Sequence, residues 1–165
     1  MPKKWPSPLE DYQGPRDPLP TEFNPDGRSL KNTPGLRSSV WDQAPKSFLP
    51  NHANFDFHIY YNRSNEDETK FARELHERLR REFPELMICR FREEPIGPHP
   101  VAMFEVDTFT PHETGTLFTW LAVNRGPLSV LVHPNTGDHL RDHSILASWM
   151  GTPWPLKLYL FEKSD

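Results

Sequence analysis

The stretch FDFHIYY, residues 55–61, alternates apolar Phe55, Phe57, Ile59 and Tyr61 with Asp56, His58 and Tyr60. A period of two is the pattern of a β-strand that turns one face to a core. The other face carries a histidine between an acid and a phenol. Two later stretches repeat the arrangement. Residues 101–107 (VAMFEVD) set Ala102, Phe104 and Val106 against Val101, Met103, Glu105 and Asp107. Residues 128–133 (LSVLVH) set Leu128, Val130 and Val132 against Ser129, Leu131 and His133. His99, between Pro98 and Pro100, falls on the histidine-bearing parity.

Between these strands lie helical patterns. Ser64, followed by Glu66, Asp67 and Glu68, reads as a helix start, with a capping hydroxyl and acids in the first turn. Phe71, Leu75, Leu79 and Phe83, with Ala72, form one apolar stripe, and Pro84 ends it. His76 beside the stripe reads as a solvated residue. Residues 86–91 (LMICRF) read as a second strand, followed by the connection REEPIGP, residues 92–98, whose prolines and glycine forbid regular pairing. Thr110-Pro111-His112-Glu113 is a capping box with proline at the first helical position, and Gly126 suits that helix's end. After the turn 134–137, Asp138 reads as the cap of a short helix to about Met150. Its buried side would be Leu140, Ile145, Ala147 and Trp149, and residues 156–161 (LKLYLF) read as a last strand.

The order β-α-β-β-α-β predicts an α+β, ferredoxin-like antiparallel sheet with helices on one face. The opposite face, with Tyr60, Met103 and Leu131, is too apolar to stay wet, which predicts a second subunit over it and a dimeric α+β barrel. Residues 1–53 differ. They hold ten of the 19 prolines without periodicity and read as a Pro-rich non-globular arm ahead of a domain at 54–165. Trp5, Tyr12, Phe23, Trp41 and Phe48 are spaced along it so as to pin it to the domain or a partner.

Composition narrows the function. A net charge of -4 offers no basic field for nucleic acid. No apolar run is long enough to span a bilayer, and the first residues lack the apolar core of a secretory signal. A single cysteine, Cys89, excludes an internal disulfide, fits the reducing cytoplasm, and reads as a small buried hydrophobe. No GxSxG elbow, Walker loop or paired CxxC occurs.

Eight histidines are the unusual feature. His52, His76, His112 and His139 read as surface or turn residues. His58, His99 and His133 share one sheet face, and neutral imidazoles converging in a partly dry pocket suit Zn, Fe, Cu or Ni. Two of them with Glu105 would form the two-histidine, one-carboxylate set of non-haem Fe(II) oxygenases. A lone strand histidine is more often structural, so the shared parity carries this reading. His139 and His143 form an H-x-x-x-H pair without the acid of HExxH, which is a weak metal signal.

HIYY at 58–61, IGPHP at 96–100 leading into AMFEV, LSVLVHPNTGD at 128–138, and RDH at 141–143 before SWMG together resemble the DOPA 4,5-dioxygenase family. The likeness spans residues 54–161. It implies a ferredoxin-like domain, often dimeric, and Fe(II)-dependent extradiol cleavage by dioxygen of a catechol such as L-DOPA. The family's motif histidines fall on His58, His99, His133 and His143. Such chemistry needs protein ligands on one side of an iron and a group that takes and returns a proton near neutral pH. The expected division makes His58, His99 and His133 ligands and His143 the catalytic acid/base. Glu105 is the alternative third ligand, and Trp149 or Tyr60 the ring that stacks on substrate. Two other readings stand beside it. One is a non-catalytic dimeric barrel that binds an aromatic or a metal, and the other a related oxidative or isomerising enzyme.

Overall fold

β1 (Phe55–Tyr60) forms the middle of a five-stranded sheet. The computed structural model describes residues 7–10, 12–35, 37–44, 48 and 50–162. Its elements follow as α1 (Glu66–Glu82), β2 (Met87–Ile88), β3 (Met103–Thr108), α2 (Pro111–Asn124), β4 (Ser129–Pro134), α3 (His139–Asp142) and β5 (Ser148–Met150). The strand order is β2-β3-β1-β4-β5, every pair antiparallel. The first four strands have the ferredoxin-like order, and β5 adds a strand beyond β4.

The alternation in β1 decides the layering. Phe57, Ile59 and Tyr61 face Ala72, Leu75 and Leu79 of α1 and Leu117 and Leu121 of α2, together with Phe104, Val106, Val130 and Val132. All of these are buried, so both helices cover the more apolar parity as expected. Gly126 after α2 takes φ 57°, and a side chain there would run into the ring of Phe71. The capping box is complete: Thr110 Oγ1 accepts from Glu113 N, and Glu113 Oε2 accepts from Thr110 N.

Several boundaries differ from the sequence reading. Asn65, not Ser64, caps α1 and accepts from Glu68 N at 3.1 Å. Ser64 N instead donates to Asn62 Oδ1 in a preceding turn, which moves the start of the helix on by one residue. β2 is shorter than residues 86–91. Cys89 N still donates to Glu105 O, and Arg92 pairs with Met103, so three steps along the edge face two along β3. One extra residue of this kind breaks the regular ladder. His76 is half-buried, its Nε2 2.9 Å from Cys89 O and its ring against Phe91 and Phe104.

The largest correction lies after residue 138. α3 stops at Asp142, and residues 148–150 form β5 rather than helix. The free edge of β4 offers a ladder to this β-prone SWM segment, with Leu131 opposite Trp149. Leu140 and Ile145 are therefore exposed at 37% and 54% instead of forming a buried stripe. Residues 156–161 do not make the last strand, because β5 already occupies that edge; Leu158–Leu160 is a 3-10 turn. The first residue of that stretch, Leu156, packs on the sheet's other face instead. Tyr60, Met103 and Leu131 are buried under Val101, Ala147, Trp149, Trp154 and Leu156. This chain's own C-terminal segment covers the surface on which the expectation of a second subunit rested.

Two compact units divide the chain, Met1–Arg37 and Ser38–Asp165. In the first, Phe23 and Leu30 pair across a turn in which Asp26 accepts from Arg28 N, Ser29 N and Ser29 Oγ. Tyr12 and Phe23 are exposed, and Trp5 lies outside the described residues. In the second, the ring of Phe48 meets Phe55 edge-on at 5.4 Å.

Candidate metal centre

The register of the sheet assembles the histidines. In β1, His58 stands opposite Glu105 of β3 and Leu131 of β4, and Asp56 stands opposite His133. Cross-strand neighbours on one parity reach each other, and His58 Nε2 lies 3.0 Å from His133 Nε2. His99 enters from the loop between β2 and β3, where Tyr60 OH meets its Nδ1 at 2.7 Å. His143 caps α3 at its C-terminal end. Its ring centroid is 4.0 Å from that of His133 and 5.8 Å from that of His99. All four histidines are buried.

Among the described residues, His58, His133 and His143 offer donor atoms that all lie within 4.8 Å of one another. The shared parity in the sequence groups His58 and His133 with His99. The ring of His99 is close, 4.1 Å from that of His58, but its nitrogens are not part of that set.

Backbone carbonyls set the tautomers. His133 Nδ1 donates to Pro134 O at 3.0 Å, and His143 Nδ1 donates to His139 O at 2.9 Å. Each therefore turns an Nε2 lone pair into the cluster. His58 must then place its proton on Nε2, toward His133, which leaves its Nδ1 as a bare acceptor. That atom is buried without a hydrogen bond, 3.3 Å from Glu105 Oε2. A cation on His58 Nε2 would reverse this arrangement. The proton would move to Nδ1, and the facing carboxylate would accept it. The orphaned nitrogen is the observation by which the site fits a metal.

Electrostatics agree. Burial, and then the other histidines, hold His58 well below the ordinary imidazole value. Burial first brings His99 down to about 3 and His143 to about 4, and it also lowers His133. The rings are neutral, the form that binds metals. Burial likewise raises Tyr60 far above its normal range, so it stays a phenol.

Other residues hold the centre in place. Asp142, buried, accepts from Thr136 N at 2.9 Å and Thr136 Oγ1 at 2.6 Å, tying α3 to the end of β4. Asp138 Oδ1 accepts from Arg141 N at 3.0 Å. Asn135 donates to Asp56 Oδ1 at 2.8 Å, while Asp56 Oδ2 lies 4.0 Å from His133 Nε2. Asp142 and His143 are adjacent at the end of α3, and neighbours on a helix point apart. That divergence is what lets Asp142 anchor the turn while His143 enters the cluster. Trp149 and Tyr60 stack on each other at 5.5 Å, and Phe161 packs on His143 at 4.8 Å. His52, His112 and His139 are exposed, as expected.

Known proteins fit this picture. The model of the Dopa 4,5-dioxygenase family matches residues 55–160. An uncharacterized 21.2 kDa protein of Botryotinia fuckeliana is 51% identical over 96% of this chain and 91% of its own length. The DOPA 4,5-dioxygenase of Amanita muscaria is 43% identical over 62% of this chain, which spans only 46% of that enzyme. A crystal structure from Nostoc punctiforme, described as a "putative dioxygenase", aligns with TM-score 0.61 and 32% identity over 69% of this chain and 95% of its own. This chain belongs to the Dopa 4,5-dioxygenase family.

Proposed function

We propose that the protein is a non-haem Fe(II)-dependent extradiol dioxygenase that opens the ring of a catechol such as L-DOPA. The observation that carries this is the buried, neutral trio of His58, His133 and His143, with an orphaned His58 Nδ1 facing Glu105. The reaction breaks the ring bond beside the two hydroxyls and places both atoms of dioxygen in the product.

In this reading His58, His133 and His143 hold the iron through Nε2. The iron supplies the Lewis acidity and one-electron chemistry that allow dioxygen to react with a catecholate. Glu105 orients His58 and offsets charge at the centre. His99, held by Tyr60, stands beside the trio and serves as the group that takes a catechol proton and returns it. The division expected from sequence, with His99 as ligand and His143 moving the proton, uses the same four residues and is favoured by the 4.1 Å approach of His99 to His58. Placement in the cytoplasm and a homodimer belong to the same proposal, and sedimentation velocity tests the latter.

The experiment is oxygen uptake by Fe(II)-reconstituted protein with L-DOPA and simpler catechols, with metal content measured beside it. Turnover with a new visible chromophore supports the proposal. Catechol binding without oxygen uptake would leave a binding protein. His143→Ala should lose the iron, and His99→Ala should keep it while losing turnover. The opposite pattern would restore the division expected from sequence.

A further inference from the structure

Three side chains outside the histidine trio converge at the β2 edge. Met87 pairs with Asp107, and Cys89 N donates to Glu105 O at 2.8 Å, so Cys89 shares the open parity with Glu105 and Asp107. The sulfur and carboxylate oxygens of Cys89, Glu105 and Asp107 lie within 4.8 Å of one another. Glu105 stands between the two groups, with Oε1 3.9 Å from Cys89 Sγ and Oε2 3.3 Å from His58 Nδ1.

Asp107 makes this more than an acidic patch. It is only 4% exposed, and its Oδ1 is buried with no hydrogen-bond partner. Its cross-strand neighbour is a further acid, Asp56. The Asp107 side chain's hydrogen bond to Glu105 leaves Oδ1 unpartnered, and a buried carboxyl oxygen without a partner is costly. We propose that Cys89, Glu105 and Asp107 form a second metal site, separate from the histidine trio, for a divalent transition ion such as Zn(II) or Co(II).

The donor set selects the ion. Carboxylates alone would suit Mg(II) or Ca(II), whereas a thiolate among them favours a softer metal. Burial raises Asp107 to about 8 and Cys89 to about 11, with neighbouring carboxylates adding to both shifts. Without an ion these groups therefore keep their protons. On coordination the Cys89 thiol proton and the Asp107 carboxyl proton both pass to solvent, and the metal supplies the charge the resulting anions lack.

The test is a Co(II) titration of the full chain after removal of metal by chelator. Two ions per chain are expected, one giving a near-ultraviolet sulfur-to-cobalt absorbance. Cys89→Ser should abolish that absorbance, Asp107→Asn should weaken the binding at least tenfold, and His133→Ala should retain it. Cobalt binding without the sulfur-to-cobalt absorbance, or absorbance that survives Cys89→Ser, overturns the site. Because Cys89 is the only thiol, alkylation by iodoacetamide gives a second reading. Zn(II) should slow it at least tenfold in the wild type and in His133→Ala, but not in Asp107→Asn. Equal rates with and without zinc in the wild type would also overturn the site.

Discussion

His58 Nε2 and His133 Nε2 lie 3.0 Å apart although 75 residues separate them in the chain. The contact spans adjacent strands β1 and β4, and both rings are neutral and nearly fully buried. Two imidazoles this close can share one proton or one cation. The carbonyl of Pro134 fixes the proton of His133 on Nδ1, so one bridging proton or one metal is what the pair can hold.

Glu105 is expected to act as a positioning residue for His58. Glu105→Gln keeps the size and loses the charge, and should weaken metal binding at the histidine trio about 10- to 100-fold. Calorimetric metal titration, monitored beside urea unfolding of the metal-free protein, separates the roles. Reduced affinity with unchanged unfolding supports orientation. A parallel loss of metal-free stability would mean that Glu105 is merely structural.

Asp142→Ala removes the acceptor for Thr136 N and Thr136 Oγ1. Unmaking buried hydrogen bonds of this kind should cost about 1–3 kcal/mol. Urea denaturation measures it, and metal content should fall with it, because His143 follows Asp142 at the end of α3. Full stability with full metal content would refute this anchoring role.

The core under the helices gives a prediction independent of function. Leu79 is fully buried against the sheet, and Leu79→Ala should destabilise the fold by about 2–5 kcal/mol. A loss well below that range by denaturant unfolding would show that the α1 stripe packs less closely against the sheet.

The pH dependence of the metal-free protein has two opposed limbs. His99 is lowered from 6.5 to about 3, so the unfolded chain takes up a proton that the folded one refuses. That contribution to stability is complete above 6.5 and is lost as pH falls toward 3. Asp107 is raised from 3.8 to about 8, so the folded chain keeps a proton that the unfolded one releases. Its contribution is complete below 3.8 and is lost as pH rises through 8. Unfolding free energies measured across this range in chelator should show a shallower acid loss in His99→Asn and a shallower alkaline loss in Asp107→Asn. Unchanged limbs in either variant would contradict that assignment.

Much of this architecture is local and therefore legible in the residues. Side chains in a strand alternate by geometry, so FDFHIYY alone places Phe57 and Ile59 with the core and His58 on the other face. The box around Thr110 and Glu113 forms within one helical turn. The Gly126 stop depends on its own φ and on the nearby ring of Phe71. What occupies the outer edge of β4 depends on a competition between distant segments, and residues 148–150 take it rather than residues 156–161. The same competition lays Trp154 and Leu156 over Tyr60. The grouping of His143 with His58 and His133, the anchoring of Asp142 by Thr136, and the meeting of Cys89 with Asp107 are likewise decided in three dimensions. Each needs a strand register and a turn direction at once, and spacing along one chain specifies neither.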